Sequence, residues 1–297
     1  KKDVLKYLSW LKNKKHYENI TRKNILLAIN HYFTSLQQTG TVTNNPANFI
    51  KIRGTQKKKL YNIYSFEQLA ELTDNYYHSF IRNYNDRLYA PKLGGIPYNQ
   101  RKQSFLSCQR NYIMLQMLVY QGITTRELHR LQLNDIDLNK ATVYITGSKK
   151  SNERNIPLNA SQIGSLINYI NVIRLQFFEF CNESNQLFLP LPEASSKQTG
   201  NTNLMGVVKN LSAQVKTTDS NFLNFKQIRA SVITYWLQTL GLRKAQYLAG
   251  HRHISTTENY LPNDLESQTE DITKFNRFCP VMSSSIKQLY NLPNYEP

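Results

Sequence analysis

Gly250-His251-Arg252-His253-Ile254-Ser255-Thr256-Thr257-Glu258-Asn259-Tyr260 is the stretch from which this chain is read. A histidine follows a glycine, a Ser-Thr-Thr cluster follows the histidine, and a tyrosine closes the stretch nine residues past it. A phenol is a nucleophile only with help, because its unperturbed pKa lies near ~10. The first question is whether the other 286 residues, the remainder of 297 after these 11, supply that help.

Composition narrows what the tyrosine acts on. A chain of 297 residues suits about two domains of ~100–200 residues each. Hydrophobic residues make up 40% and aromatic residues 11%, which is a globular composition. Lys and Arg number 37 against 20 Asp and Glu, for a net charge of +17. That balance favours a polyanionic partner, nucleic acid before an acidic membrane. No single helix gathers the basic residues into an amphipathic face, and no run of ~18 apolar residues could span a bilayer. The start of the chain does not read as a secretory signal. Cys108, Cys181 and Cys279 are too far apart for a disulfide framework or a zinc ribbon. His251 and His253 lack a third ligand nearby, so no metal is expected. These features imply a cytoplasmic protein with no cofactor.

Periodicity predicts helices over residues 3–12 and 21–38. Residues 51–59 hold five basic residues, Lys51, Arg53, Lys57, Lys58 and Lys59, and read as part of a linker crossing a phosphate backbone. Ser65 is placed to cap a new helix. Pro91, Gly94, Gly95 and Pro97 mark 85–104 as a long loop. Apolar residues from Tyr112 to Val119 predict a buried helix over 110–121, ended by Gly122. Residues 141–146 and 154–158 read as two strands of a hairpin, with Lys149 and Lys150 on its polar turn. A long helix is expected over 161–181, then helices over 204–216, 225–239, 243–249 and 254–260. The fold class is mostly α with a small antiparallel β-sheet or hairpin.

Taken in order, these segments resemble the tyrosine recombinase (phage-integrase) family over about residues 1–275. Gly122-Ile123-Thr124-Thr125-Arg126-Glu127-Leu128 is similar to the family's first arginine box. Gly147-Ser148-Lys149 with Glu153-Arg154-Asn155-Ile156-Pro157-Leu158 resembles its hairpin-lysine region, and Phe225-Lys226-Gln227-Ile228-Arg229 its H-x-x-R box. Leu248 to Tyr260 resembles its final box most closely. Lys226 stands where the family has a histidine, and Ala230 where a second histidine often follows.

The resemblance implies a two-domain tyrosine-recombinase architecture. Residues 1–53 would form a helical core-binding domain, 54–64 the basic linker, and 65–297 the catalytic domain, with a C-terminal tail from about 262. It implies cutting and rejoining of double-stranded DNA through a 3′-phosphotyrosyl bond, with no ATP and no metal. Tyr260 would attack, Arg126 and Arg229 would clamp the phosphate, and His251 would donate a hydrogen bond to it. Lys149, favoured by counting back from Glu153-Arg154 over its rival Lys150, would protonate the leaving oxygen, and Lys226 would take the tyrosine proton or bind phosphate. Lys51, Arg53, Lys57, Lys58, Lys59 and Lys150 are the expected DNA contacts. The family assembles as a homo-tetramer on two DNA sites, its tail packing on a neighbouring protomer, in a bacterial, nucleoid-associated setting. The basic, Asn/Lys-rich composition and the 85–104 segment favour a mobile-element integrase or transposase. An inactive DNA-binding relative and a type IB topoisomerase-like nicking enzyme share much of this pattern.

Overall fold

A computed structural model describes residues 1–54, 62–82, 97–191 and 204–261. Lys57, Lys58, Lys59 and the tail from 262 lie outside that set, as do residues 85–96 of the expected long loop. The chain divides into two compact units, Lys1–Leu60 and Tyr61–Pro297.

In the first unit, α1 (Lys2–Asn13) and α2 (Asn19–Gln38) pack through Leu8, Leu11 and Leu26, with Ala47 closing the small core. The Arg22 guanidinium donates to the Leu8 carbonyl at 3.1 Å, tying α2 to α1. Asn19 donates to the Arg53 carbonyl at 3.0 Å, which leaves the Lys51 and Arg53 side chains exposed.

In the second unit, α3 (Phe66–Tyr77) starts at Ser65, whose hydroxyl accepts from the Gln68 backbone while Gln68 accepts from the Ser65 N–H. This reciprocal cap satisfies two orphan donors of the first turn. Tyr64, in the stretch expected as linker, is buried here; its backbone N–H donates to Ser231 at 3.0 Å and its hydroxyl to Asp219 at 2.7 Å. The central helix is α4 (Tyr98–Tyr120), with Leu106, Met114, Leu115 and Met117 fully buried. A helix buried this far round lies inside a core rather than on its edge. It begins at Tyr98, so residues 98–104 are helix, not loop.

A short helix, α5 (Thr125–Arg130), leads to a three-stranded antiparallel sheet. Its strands β1 (Ile136–Asp137), β2 (Thr142–Ile145) and β3 (Arg154–Pro157) lie in that order. Val143 pairs with Ile156 and Ile145 with Arg154, so one face of the hairpin turns to the core. Then come α6 (Ala160–Asn168), α7 (Leu204–Thr218), α8 (Phe225–Leu240), α9 (Leu242–Ala249) and α10 (Ile254–Glu258). The expected helix over 161–181 is interrupted by a π-turn at Tyr169–Ile173 and tightens to a 3-10 turn at Phe177–Glu179. No described helix is long and apolar enough to cross a membrane.

Candidate active site

The first arginine box folds around its acid. Thr124 caps α5, its hydroxyl accepting from the Glu127 N–H at 3.2 Å, while the Glu127 carboxylate accepts from the Thr124 N–H at 2.8 Å. The cap turns Glu127 inward. There it meets Arg154 Nη1 at 2.8 Å and Arg229 Nη1 at 4.0 Å. Burial pushes the Glu127 carboxyl up, but the Arg154 hydrogen bonds and charge, the Thr124 N–H and the Arg229 charge together outweigh it, to about 2. Glu127 is therefore an anion anchoring two guanidinium groups.

The hairpin and the final box form one seam. Asn152 N–H donates to the Gly250 carbonyl at 2.9 Å, and Ser151 bridges to His251. Arg154 Nε donates to the Leu248 carbonyl at 2.6 Å. Gly250 ends α9 in the left-handed region at φ 69°, and a Cβ there would sit 2.8 Å from Arg154 Cζ. Only glycine meets both demands.

Arg229, His251 and Tyr260 meet on the other side of this seam. Arg229 donates to the Gly122 carbonyl and, at 2.7 Å, to the Ala249 carbonyl. It also shares a side-chain hydrogen bond with Tyr260. Its Nη2 lies 3.5 Å from His251 Nε2. A guanidinium can only donate, so Nε2 is the acceptor and the imidazole proton sits on Nδ1, 2.9 Å from Thr257 Oγ1. Burial and the charges of Arg229 and Arg154 pull the His251 pKa down to about 4, so the ring is neutral near pH 7. The His251 and Tyr260 rings stack with centroids 5.8 Å apart. The arrangement places a phenol oxygen beside a fixed cation and a neutral base.

The other expected residues sit differently. Lys149 and Lys150 are exposed on the hairpin tip, and Lys226 is exposed at the second position of α8. Arg126 is not drawn into the cluster. It is exposed at the second position of α5 and makes no hydrogen bond or ion pair among the described residues. The reason is rotational: successive helical residues point about 100° apart, so a cap that aims Glu127 inward aims its neighbour elsewhere. Among the described residues no group of three or more His, Cys, Asp or Glu is placed to hold a metal ion.

Residues 100–266 match the family model described as the phage integrase family, which is more than half of the chain. The chain belongs to the phage integrase family. It is 30% identical over 163 residues to a tyrosine recombinase XerC of Actinobacillus succinogenes, covering 54% of this chain and 52% of that one. A tyrosine recombinase of Pseudothermotoga lettingae is 26% identical over 262 residues, covering 87% and 84%. The chain thus spans about half the length of the XerC proteins of Actinobacillus succinogenes and Proteus mirabilis that it matches, and most of the Pseudothermotoga protein. Among solved structures, the XerH site-specific recombinase bound to palindromic difH substrate has the same fold, with a TM-score of 0.62 at 16% identity over 92% of this chain and 72% of that one. The Tn1549 transposon integrase in complex with circular intermediate DNA gives 0.57 at 17% identity, over 87% and 80%.

Within this phage integrase chain, sequence gives no role in the site to two residues that the structure places there, Glu127 of the first arginine box and Arg154 of the hairpin-lysine region. A charged residue at an alternate, core-facing position of β3 was the available signal for Arg154, once Ile156 is assigned to the buried face.

Proposed function

We propose that this chain is a tyrosine-type site-specific DNA recombinase that cuts and rejoins double-stranded DNA through a 3′-phosphotyrosyl bond. One observation carries the reading: the Tyr260 ring stacks on His251, whose Nε2 lies 3.5 Å from the Arg229 guanidinium.

The chemistry follows from the residues. The Tyr260 oxygen attacks phosphorus, and the P–O5′ bond breaks. The tyrosine proton passes to His251 Nε2, directly or through one water. The imidazole thereby becomes an N–H donor to a non-bridging oxygen, the role expected of His251. Arg229 turns its fork onto the same phosphate and stays charged throughout. Lys149, exposed and unpaired among the described residues, gives its proton to the departing O5′. Lys226, exposed on the first turn of α8 and three residues from Arg229, is assigned to phosphate binding instead of proton removal. Arg126 is assigned to the DNA backbone, outside the clamp. The phosphate-bond energy is kept in the phosphotyrosine, so the step needs neither ATP nor metal.

Residues 1–53 with Lys51 and Arg53, the linker 54–64 with Lys57, Lys58 and Lys59, and Lys150 would hold the DNA. A tetramer on two sites with tail exchange, in a bacterial cytoplasm on the nucleoid, completes this reading. The mobile-element role rests on composition. The Xer-type relatives support a second reading, chromosome-dimer resolution.

The test is incubation with nicked suicide duplexes tiled across the DNA flanking the gene, followed by denaturing electrophoresis. A covalent adduct that is lost in Tyr260→Phe and kept in Tyr247→Phe is expected. No adduct on any duplex would favour a non-catalytic DNA-binding relative; relaxation of arbitrary supercoiled DNA by a monomer would favour a topoisomerase.

A further inference from the structure

Arg252 follows His251 and is exposed, yet its guanidinium is engaged. Its Nη2 donates to the Ser148 carbonyl at 2.8 Å, across 104 residues of sequence. Ser148 immediately precedes Lys149. The hairpin tip is also ordered from within: Ser148 N–H donates to the Ser151 carbonyl at 2.8 Å, and the Ser148 hydroxyl accepts from Lys150 and Ser151 N–H groups at 3.1 Å. On the far side of the tip, Asn152 and Ser151 are held to Gly250 and His251. The near side has Arg252 as its tie to the final box. The peptide that carries the Lys149 side chain is thus bracketed between the strand seam and this one charged hydrogen bond.

We infer that Arg252 is a positioning residue: it holds the Ser148–Lys149 peptide so that the Lys149 ammonium is presented to the leaving O5′. This rests on the reading of Lys149 as general acid given above. In that step the Lys149 N–H bond breaks, the proton goes to O5′ as the P–O5′ bond breaks, and the tyrosyl oxygen forms the new bond to phosphorus. A flexible lysine on an untethered hairpin tip would sample many positions, and general-acid catalysis contributes only when the donor lies within hydrogen-bond reach. One exposed hydrogen bond contributes little to the stability of the whole domain, so its loss acts on the tip and not on the fold.

The experiment compares cleavage of an ordinary nicked duplex with cleavage of the same duplex carrying a 5′-bridging phosphorothiolate at the scissile position. A thiolate leaves without a proton, since thiol pKa values lie near ~8.5, so a defect confined to proton delivery disappears on this substrate. Arg252→Ala is expected to slow cleavage of the ordinary duplex roughly 10-fold, a part of the full ~10²–10⁴-fold contribution of general-acid catalysis. It should cleave the phosphorothiolate at the wild-type rate, and Arg252→Lys, which can still donate to the carbonyl, should fall between. Lys149→Ala is the control and should show larger rescue. Equal loss on both substrates in Arg252→Ala, with rescue in Lys149→Ala, overturns the inference and makes Arg252 a DNA or structural contact. No rescue in either variant overturns the reading of Lys149 itself.

Discussion

The Arg154 guanidinium and the Glu127 carboxylate lie 2.8 Å apart with side chains 0% and 3% exposed, and they join the first helix box to the hairpin. Removing one partner strands the other charge in the core, which costs about 3–5 kcal/mol. Glu127→Ala should lose stability of that order in urea unfolding. It should also lose cleavage, because Arg229 loses the anion beside it. Stability within about 1 kcal/mol of wild type would mean that the pair does not anchor the site.

The pH dependence of folding follows from two groups with lowered pKa. Folded His251 titrates at about 4 against an ordinary 6.5, so between those values the unfolded chain binds a proton that the folded chain refuses. Stability is full above 6.5 and falls as pH drops towards 4. Folded Glu127 stays ionised to about 2 against an ordinary 4.5, so its contribution, about 3 kcal/mol, is lost as pH falls from 4.5 to 2. Unfolding midpoints measured in urea from pH 8 to 3 should decline in the upper window, and His251→Gln should flatten that decline.

Gly250 and Gly164 make a matched pair. Gly250→Ala must adopt φ 69° and bring a Cβ to 2.8 Å from Arg154 Cζ. The backbone term alone is about 1–2 kcal/mol, before any displacement of Arg154. Gly164 lies inside α6, where an added Cβ would meet nothing within 4 Å, and should gain about 0.5–1 kcal/mol on change to Ala. Thermal unfolding of the two variants should move in opposite directions.

Arg229 and Arg126 should separate in kinetics. Arg229→Lys keeps the charge but cannot reproduce bonds to Gly122, Ala249 and Tyr260 together. Single-turnover cleavage should fall about 10²–10³-fold, as for loss of an oxyanion donor. Arg126→Ala should reduce DNA affinity and its salt dependence, with cleavage at saturating DNA changed less than about 10-fold. Equal losses in the two variants would restore Arg126 to the clamp.

Much of this layout is written in local pattern. The His251-to-Tyr260 spacing, the i, i+3 relation of Lys226 and Arg229, and the β-rich runs on either side of Lys149 are all short-range signals. The start of α4 at Tyr98 was hidden because Asn99-Gln100-Arg101-Lys102-Gln103 has no apolar period and follows Pro97. The π-turn at Tyr169–Ile173 has no Gly or Pro to mark it. Glu127 and Arg154 are 27 residues apart, and nothing local says that a charged strand residue will be buried against an acid. Adjacency in the box likewise does not tell which of Arg126 and Glu127 faces in; the Thr124 cap decides that in three dimensions.

The central claim is that Tyr260 becomes bonded to a DNA 3′-phosphate. The direct measurement is mass spectrometry of the peptide that retains nucleotide after a trapped adduct is digested with protease and nuclease. Nucleotide is expected on the peptide containing Tyr260, with a free 5′-hydroxyl on the released strand. Nucleotide on any other tyrosine, or a free 3′-hydroxyl with the 5′-phosphate held by protein, would contradict it.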